Sequence, residues 1–251
     1  MDRREVLEQL TNAQTIEDLW ACHCEAMAGF GFDRLLYGFT RYRTATSLGD
    51  PQDFVILTNH TAAYRDTFLG KGLYFHAPMV RWALQNEGVS SWNIIGQMLA
   101  TGTLTESERK VIEFNRSMEV TAGYSISFKS PSPRTKGAIA LTAAPGLTQE
   151  AIDAMWAEHG RDITLMNNIT HLKIQTLPYP GLTRGLTRRQ REALQWVGDG
   201  KTVQDIAVLM GLTTATVEKH LRLARGTLNV ETTAQAVLKA AFLNQMFIVD
   251  A

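Results

Sequence analysis

The chain carries two cysteines in 251 residues, Cys22 and Cys24, separated by a single residue. Thiols that close cannot staple distant segments, so no disulfide framework is available. Cys22-His23-Cys24 offers ligating atoms, but it is too few for a closed metal site and it lies in a helical pattern, so it reads as packing. No apolar run approaches the roughly 18 residues that cross a bilayer. The start, Met1-Asp2-Arg3-Arg4-Glu5, lacks the apolar stretch of a secretory signal. No membrane partner is expected, and the expected location is the cytoplasm. Missing as well are Gly-x-Ser-x-Gly, a phosphate loop, His-Glu-x-x-His and paired cysteine sets. Despite six histidines, the chain is not expected to be an enzyme, and no catalytic residue, metal or cofactor is assigned.

What is present is enough apolar residue, 45%, to build a core, in a length that fits one or two domains. The formal net charge is zero but unevenly spread. From Leu182 onward nine Lys/Arg stand against six Asp/Glu, a net of +3, which leaves −3 on the rest. A mildly basic small region after an acidic larger one fits a nucleic-acid reader attached to something else.

In chain order, Thr15 opens a helix with acids in its first turn and Gly29 and Gly31 close it. Residues 32–42 and 53–59 read as strands. Helical pieces follow at about 61–69 and 78–86, the second opened by a proline. Thr105-x-x-Glu108 is a capping box that starts a helix to about Met118. Residues 123–128 and 138–142, joined by a Ser/Pro/Gly loop, read as a strand hairpin. A long helix runs from about Gly146 to Lys173. Two prolines and a glycine within 176–182 mark a boundary. This order describes an α+β domain, an antiparallel sheet with helices on its faces. The expected division is 1–174, a linker at 175–183, and 184–251.

The last region carries the most specific pattern. Leu186-Thr187-Arg188-Arg189-Gln190-Arg191-Glu192, Gly200-Lys201-Thr202-Val203-Gln204-Asp205-Ile206-Ala207 and Thr216-Val217-Glu218-Lys219-His220-Leu221 read as short helices broken by tight turns. Thr187 with Gln190 and Thr202 with Asp205 form capping boxes. Gly200 and Gly211 end the first two helices. Ile206, Ala207 and Met210 share one face; Val217, Leu221 and Ala224 share another. Two helices joined by a glycine turn, the second with exposed cations, describe a helix-turn-helix. From about Leu186 to Val237 the segment resembles the DNA-binding domain of LuxR-type transcription regulators. Departures are Gln190 in place of a Glu, and Gly226, Thr227 and Thr233 where basic residues are usual.

That resemblance implies an N-terminal α-β-α sandwich holding an acyl-homoserine lactone between the sheet and one helix layer, then an all-α four-helix DNA-binding domain. The family's ligand pattern is roughly Tyr-x3-Trp-x3-Tyr, an Asp-Pro, a second Trp fourteen residues after the Pro, and a later strand glycine. Here those places hold His60, Tyr64, Phe68, Ala77-Pro78, Trp92 and Gly123. The spacing is kept while four chemical groups change. In the family the first Trp donates to the lactone carbonyl, the first Tyr to the acyl carbonyl, and the Asp accepts from the amide N–H. Tyr64 and His60 can still donate; Phe68 and Ala77 cannot take part. A buried amide left without an acceptor costs about 1–3 kcal/mol, so the ordinary lactone is expected to bind poorly unless another group steps in. Asn59, Arg65 and Thr142 are the candidates for that. Leu36, Gly38 and Thr40 are candidate wall positions, and Ala140 stands where some family members have Ser or Thr. Taken singly, Tyr64, Phe68 and Trp92 could be plain core aromatics and His60 a surface residue; at the family spacing together they read as a pocket.

The expected function is therefore a DNA-binding transcription regulator of the LuxR, quorum-sensing type. Its signal would be small and mostly apolar, a modified acyl-homoserine lactone or a non-lactone molecule. The alternative is a ligand-independent regulator whose N-terminal domain serves dimerisation. The expected partners are a double-stranded DNA operator and a second copy of the chain. A homodimer is argued from Ile152, Met155, Ile163 and Met166 on the long helix and from Val237, Leu238, Ala241 and Leu243 on the last. Base reading is assigned to Glu218, Lys219 and Arg222, with a merely solvated Glu218, or Glu218 pairing to Arg222, as the alternative. Arg188 and Arg225 are assigned to phosphates, and Thr202 and Thr216 complete the expected DNA contacts.

Overall fold

The computed structural model describes residues 2–44, 46–179 and 185–246. The chain divides into two compact units, Met1–Ile174 and Gln175–Ala251.

The first unit is built from α1 (Arg3–Asn12), α2 (Ile16–Ala28), β1 (Phe32–Thr40), β2 (Val55–Thr58), α3 (Ala62–Phe68), α4 (Pro78–Gln85), β3 (Gly88–Ser91), α5 (Asn93–Ala100), α6 (Glu106–Ser117), β4 (Gly123–Ser127), β5 (Lys136–Ala143) and α7 (Gln149–Ile174). Its five strands form one antiparallel sheet in the order β2-β1-β5-β4-β3. The sequence reading finds most of these elements and misses α1, β3 and α5.

Strand alternation gives the sheet two unlike faces. On one face lie Leu35 with Leu141 and Tyr124, then Tyr37 with Ile139 and Ile126, in cross-strand rows. This bulky face meets α2 and α7: Tyr37 bonds His171 of α7, and Tyr124 stacks on Trp156 of α7 at 3.9 Å. The rows of the other face are Leu36, Ala140 and Ser125, then Gly38, Ala138 and Ser127, with Thr142 opposite both Arg34 and Gly123. Apart from Leu36 and Arg34 these are small side chains, and this is the face toward α3, α4 and α6.

Buried polar groups under α7 are satisfied in pairs. His23 is fully buried; its Nε2 meets Asn167 Oδ1 at 3.1 Å and its Nδ1 meets Thr170 Oγ1 at 3.0 Å. The Asn167 amide donates to the Ile163 carbonyl, which turns its oxygen toward His23 and places the imidazole proton on Nε2. Tyr37 Oη lies 2.8 Å from His171 Nδ1, and the His171 ring stacks on Phe128 at 4.0 Å. Gly137 makes room for that ring, since a Cβ there would lie 2.7 Å from His171 Cε1. Ile152, Ile163 and Met166 belong to this core. They are not surplus apolar surface, which removes them from the argument for a dimer. The long helix instead exposes Leu165 and Leu172.

The second unit contains α8 (Arg188–Gly198), α9 (Val203–Met210), α10 (Thr214–Thr227) and α11 (Thr233–Phe242). Three of the four begin with a complete capping box, at Thr187/Gln190, Thr202/Asp205 and Thr232/Gln235. Gly211 ends α9 in the left-handed conformation with φ 64°. Leu194, Ile206, Val217, Leu221, Ala224, Ala236 and Ala240 form the core. Of the expected linker, 175–179 hydrogen-bonds to residues 243–245: Tyr179 N donates to Leu243 O, Asn244 Nδ2 to the carbonyls of Gln175 and Leu177, and Gln245 Nε2 to Tyr179 O. Residues 180–183 of that linker lie outside the described residues.

Candidate functional site

On the small-residue face of the sheet, Tyr64, Phe68, Ala77, Trp92, Val111 and Val120 form one buried cluster, with Leu36 and Ala140 packed against it. Each helix of this layer is fixed by local chemistry. Thr61 caps α3 through Tyr64 N. Glu108 closes the capping box of α6 and, 5% exposed, takes an ion pair from Arg81 of α4 at 2.9 Å. The C-terminal end of α4 is held by donors from the sheet and from the segment after β1. Ser127 Oγ donates to the carbonyls of Ala83 and Asn86, Lys136 Nζ to Asn86 O, and Arg43 Nη2 to Leu84 O. Cations at a helix C-terminus satisfy carbonyls the helix cannot pair and match its dipole.

Within the cluster, His60, Tyr64 and Phe68 form a column of rings, with His60 to Tyr64 at 4.2 Å and Tyr64 to Phe68 at 5.1 Å. His60 is 6% exposed, so it is a buried residue. Burial, then the nearby Arg34 guanidinium, pushes its imidazole down to about 4, so it is neutral near pH 7. Tyr64 donates its hydroxyl to Asn115 Oδ1 at 3.2 Å, and burial pushes its ionisation well up. Trp92 Nε1 donates to Ser125 Oγ at 2.9 Å. Trp92 also explains Gly123, where a Cβ would lie 3.1 Å from the indole and 2.2 Å from Leu141 O. Ala77 is buried at the N-cap of α4, where it supplies no side-chain cap. Thr142 Oγ1, on the same sheet face, is buried with no hydrogen-bond partner.

Other expected site residues are placed elsewhere. Arg65 is on the exposed side of α3 and takes no part in the cluster. Asn59 is spent on the backbone: its Oδ1 accepts from Leu35 N and its Nδ2 donates to Asp33 O. Thr40 donates to Leu48 O. Gly38 faces Ile56 of β2 rather than the ring column. Three contributors were not anticipated. Ser125 could have been suspected as a polar residue alternating with Ser127 inside a buried strand. Asn115 and Arg34 give no such signal. Arg34 bonds the carbonyls of Met118, Glu119 and Ala143, which ties β1 to the end of α6.

A second polar centre joins this layer to α7. Asp153 Oδ1 accepts from Ser91 Oγ, Tyr124 Oη and Gln149 Nε2, each at 2.8 Å. Ser91 precedes Trp92, so this hub fixes the strand that delivers the indole. Burial acts against the Asp153 carboxylate, but the donors from Gln149, Tyr124 and Ser91 outweigh it and hold its pKa below the usual value.

In the second unit, Val217, Leu221 and Ala224 point into the core, which turns Glu218, Lys219 and Arg222 outward together as exposed residues. Among the described residues no ion pair joins Glu218 to Arg222, and both side chains are exposed. Thr216 Oγ1 lies 2.9 Å from Thr213 Oγ1 at the start of α10. Thr202 is the N-cap of α9. Arg225 donates to Thr233 Oγ1 at 3.0 Å, and Arg188 is exposed in the first turn of α8.

The first unit thus sets an aromatic layer over a small-residue sheet face, and in the second unit α10 turns three neighbouring polar side chains outward. Residues 15–174 match the autoinducer binding domain, and residues 184–240 match the bacterial regulatory proteins of the luxR family. The chain belongs to the LuxR-type transcription regulators. Among its relatives, the transcriptional activator protein AnoR of Acinetobacter nosocomialis is 24% identical over 215 residues, 85% of each chain. The transcriptional activator protein LuxR of Aliivibrio fischeri is 23% identical over 190 residues, 75% of this chain and 73% of that one. The solved structure of CepR2 from Burkholderia cenocepacia, described as an N-acylhomoserine lactone dependent LuxR family factor, is similar in fold. Its TM-score is 0.52 at 14% identity, and the match covers 68% of this chain and 92% of that one.

Proposed function

We propose that this regulator is controlled by a small, mostly apolar signal held between the small-residue face of the sheet and the Tyr64/Phe68/Trp92 layer. The observation that carries the reading is the contrast between the two sheet faces. One face fills its own space with bulky side chains, while the other sets the small residues Ala140, Ser125 and Thr142 on the side of the aromatic rings. Apolar walls with a few placed polar groups are the usual composition of a small-molecule site. The site residues are His60, Tyr64, Phe68, Ala77, Trp92, Leu36, Ala140, Ser125 and Thr142. The second unit binds a DNA operator through Glu218, Lys219 and Arg222, with Arg188 and Arg225 on phosphates. The protein works as a homodimer in the cytoplasm and catalyses no reaction. Paired helix-turn-helix units read half-sites about one helical turn apart.

One observation favours the ligand-independent alternative. Tyr64 spends its hydroxyl on Asn115, Trp92 its N–H on Ser125, and the rings already stack on one another. Native mass spectrometry of the purified protein separates the two. The ligand reading expects one small molecule to be retained and an operator affinity that changes when it is removed. If nothing is retained and cell extract leaves DNA binding unchanged, the ligand-independent reading replaces it.

A further inference from the structure

Resting on that ligand reading, we infer that the signal presents hydrogen-bond acceptors and no amide N–H, as a long-chain ketone, ester or simple lactone does, and that Thr142 is its polar anchor. The argument starts from donors. Thr142 is 1% exposed, and its hydroxyl has no partner among the described residues. It stands two residues from Ala140 on β5, so it faces the same side of the sheet as Ala140 and Leu36, which pack against the aromatic cluster. Its cross-strand neighbour is Gly123, over which the Trp92 ring lies. A hydroxyl can donate and accept, but its proton needs an acceptor when water is excluded. Ser125, diagonal to Thr142 on β4, accepts from Trp92, and no acceptor for its own proton stands among the described hydrogen bonds. Two hydroxyl protons on one buried sheet face thus await acceptors.

The other half of the argument is what an amide N–H would meet. Ala77 is buried in the cluster and has no polar side-chain atom. Asn115 Oδ1 is taken by Tyr64, and the Asn59 amide is taken by the backbone. His60 meets the cluster with its ring face, stacked on Tyr64. Asp153 accepts three donors on the opposite face of the sheet. The site therefore supplies unfilled donors and lacks a dedicated acceptor. An acylated amino-lactone can accept these protons through its carbonyls but brings an N–H for which Ala77 offers no side-chain acceptor, whereas an acceptor-only ligand completes the network without that cost.

The test uses calorimetry on the full chain with two probes, γ-dodecalactone and N-octanoyl homoserine lactone. They share a lactone ring and alkyl chains of like length, and differ in the amide. The unmodified protein should bind γ-dodecalactone at least roughly tenfold tighter, about 1.4 kcal/mol. Thr142→Val should lose about tenfold of that affinity while the ligand-free melting temperature holds or rises, because no protein hydrogen bond is removed. A residue with only a structural role would instead lower the melting temperature. Ala77→Asp should tighten the homoserine lactone. Equal or tighter binding of N-octanoyl homoserine lactone by the unmodified protein would overturn the inference. So would an unchanged γ-dodecalactone affinity in Thr142→Val, or no γ-dodecalactone binding at all. A molecule co-purifying with an amide N–H would defeat this inference alone and leave the sensor reading standing, whereas no retained molecule defeats the sensor reading itself.

Discussion

Taking the protein from about pH 7.5 to about pH 5.5 should destabilise the first unit by roughly 4 kcal/mol through its histidines alone. His23, His60 and His171 are 0%, 6% and 7% exposed, and each is pushed from 6.5 to about 4. Burial is the main cause in all three. A hydrogen bond to Asn167 opposes it at His23, while Arg34 adds to it at His60 and Arg41 at His171. The sign follows from linkage. The folded pKa lies below the unfolded one, so the unfolded chain takes up protons that the folded chain refuses. The stabilisation is complete above about 6.5 and is lost as the pH falls toward 4. At one unit below the unfolded value each histidine favours the unfolded chain about tenfold, between 1 and 2 kcal/mol. Three such groups remove a large part of a typical stability of about 5–15 kcal/mol. Carboxylates, with ordinary values near 4, change little in this window. Urea unfolding followed by tryptophan fluorescence is a suitable assay, because four of the five tryptophans precede Ile174. His23→Gln should lower stability near neutral pH yet flatten the pH slope by about a third. An unfolding midpoint that is the same at both pH values would refute the reasoning.

Asp153→Ala should cost about 1–3 kcal/mol, because three donors lose one charged acceptor, and it should red-shift Trp156 emission as Tyr124 is released; an unshifted spectrum and an unchanged midpoint would remove the hub. Gly137→Ala should cost about 1–3 kcal/mol by overpacking against His171 and Phe39. Gly226→Ala, exposed in α10 with nothing within 4 Å of a Cβ, should gain about 0.5–1 kcal/mol; denaturant titrations giving both variants the same sign would contradict this packing. Arg222→Ala and Glu218→Ala should each cost about 1–3 kcal/mol and relax preference at one base pair. Selection from random DNA checks this, and recovery of the parental operator at parental affinity would rule out α10 as the reader.

The second unit was almost wholly legible because its signals are local. Thr187 with Gln190 and Thr202 with Asp205 sit three residues apart, and the pairings form between those same residues. The helix and strand positions of the first unit were legible where a cap or an alternation marked them, as at Thr15, Thr105 and residues 123–127. Two of the missed elements carry little of either, and α1, though capped by Asp2, shows only a short apolar pattern. β3 is four residues long with an exposed start, and α5 has no buried residue and no side-chain cap. α1 buries only Val6 and Leu10. At the site, the family spacing led to Tyr64, Phe68, Ala77 and Trp92, which do form one cluster. The polar partners were not legible, because they meet through sheet register and helix docking. Ser91 and Asp153 are 62 residues apart, Tyr64 and Asn115 are 51 apart, and no pattern within a window joins them. Arg65 misled for the converse reason, since closeness along α3 says nothing about which side of the helix is buried.

The strand order also has a consequence for synthesis. β1 pairs with β5 across about a hundred residues of chain, Phe32 with Ala143 and Thr40 with Lys136. Until residue 143 has left the ribosome, β1 has only β2 beside it, and a two-stranded ribbon is marginal in water. Over the bulky face of Leu35, Tyr37 and Phe39 only α2 is available through that interval, and α7 follows later still. Distant pairings form slowly, and half-built sheets of this kind aggregate. The first unit should therefore be the slow, chaperone-dependent part of the nascent chain, whereas the second, built of short-range helix contacts, should fold soon after it emerges.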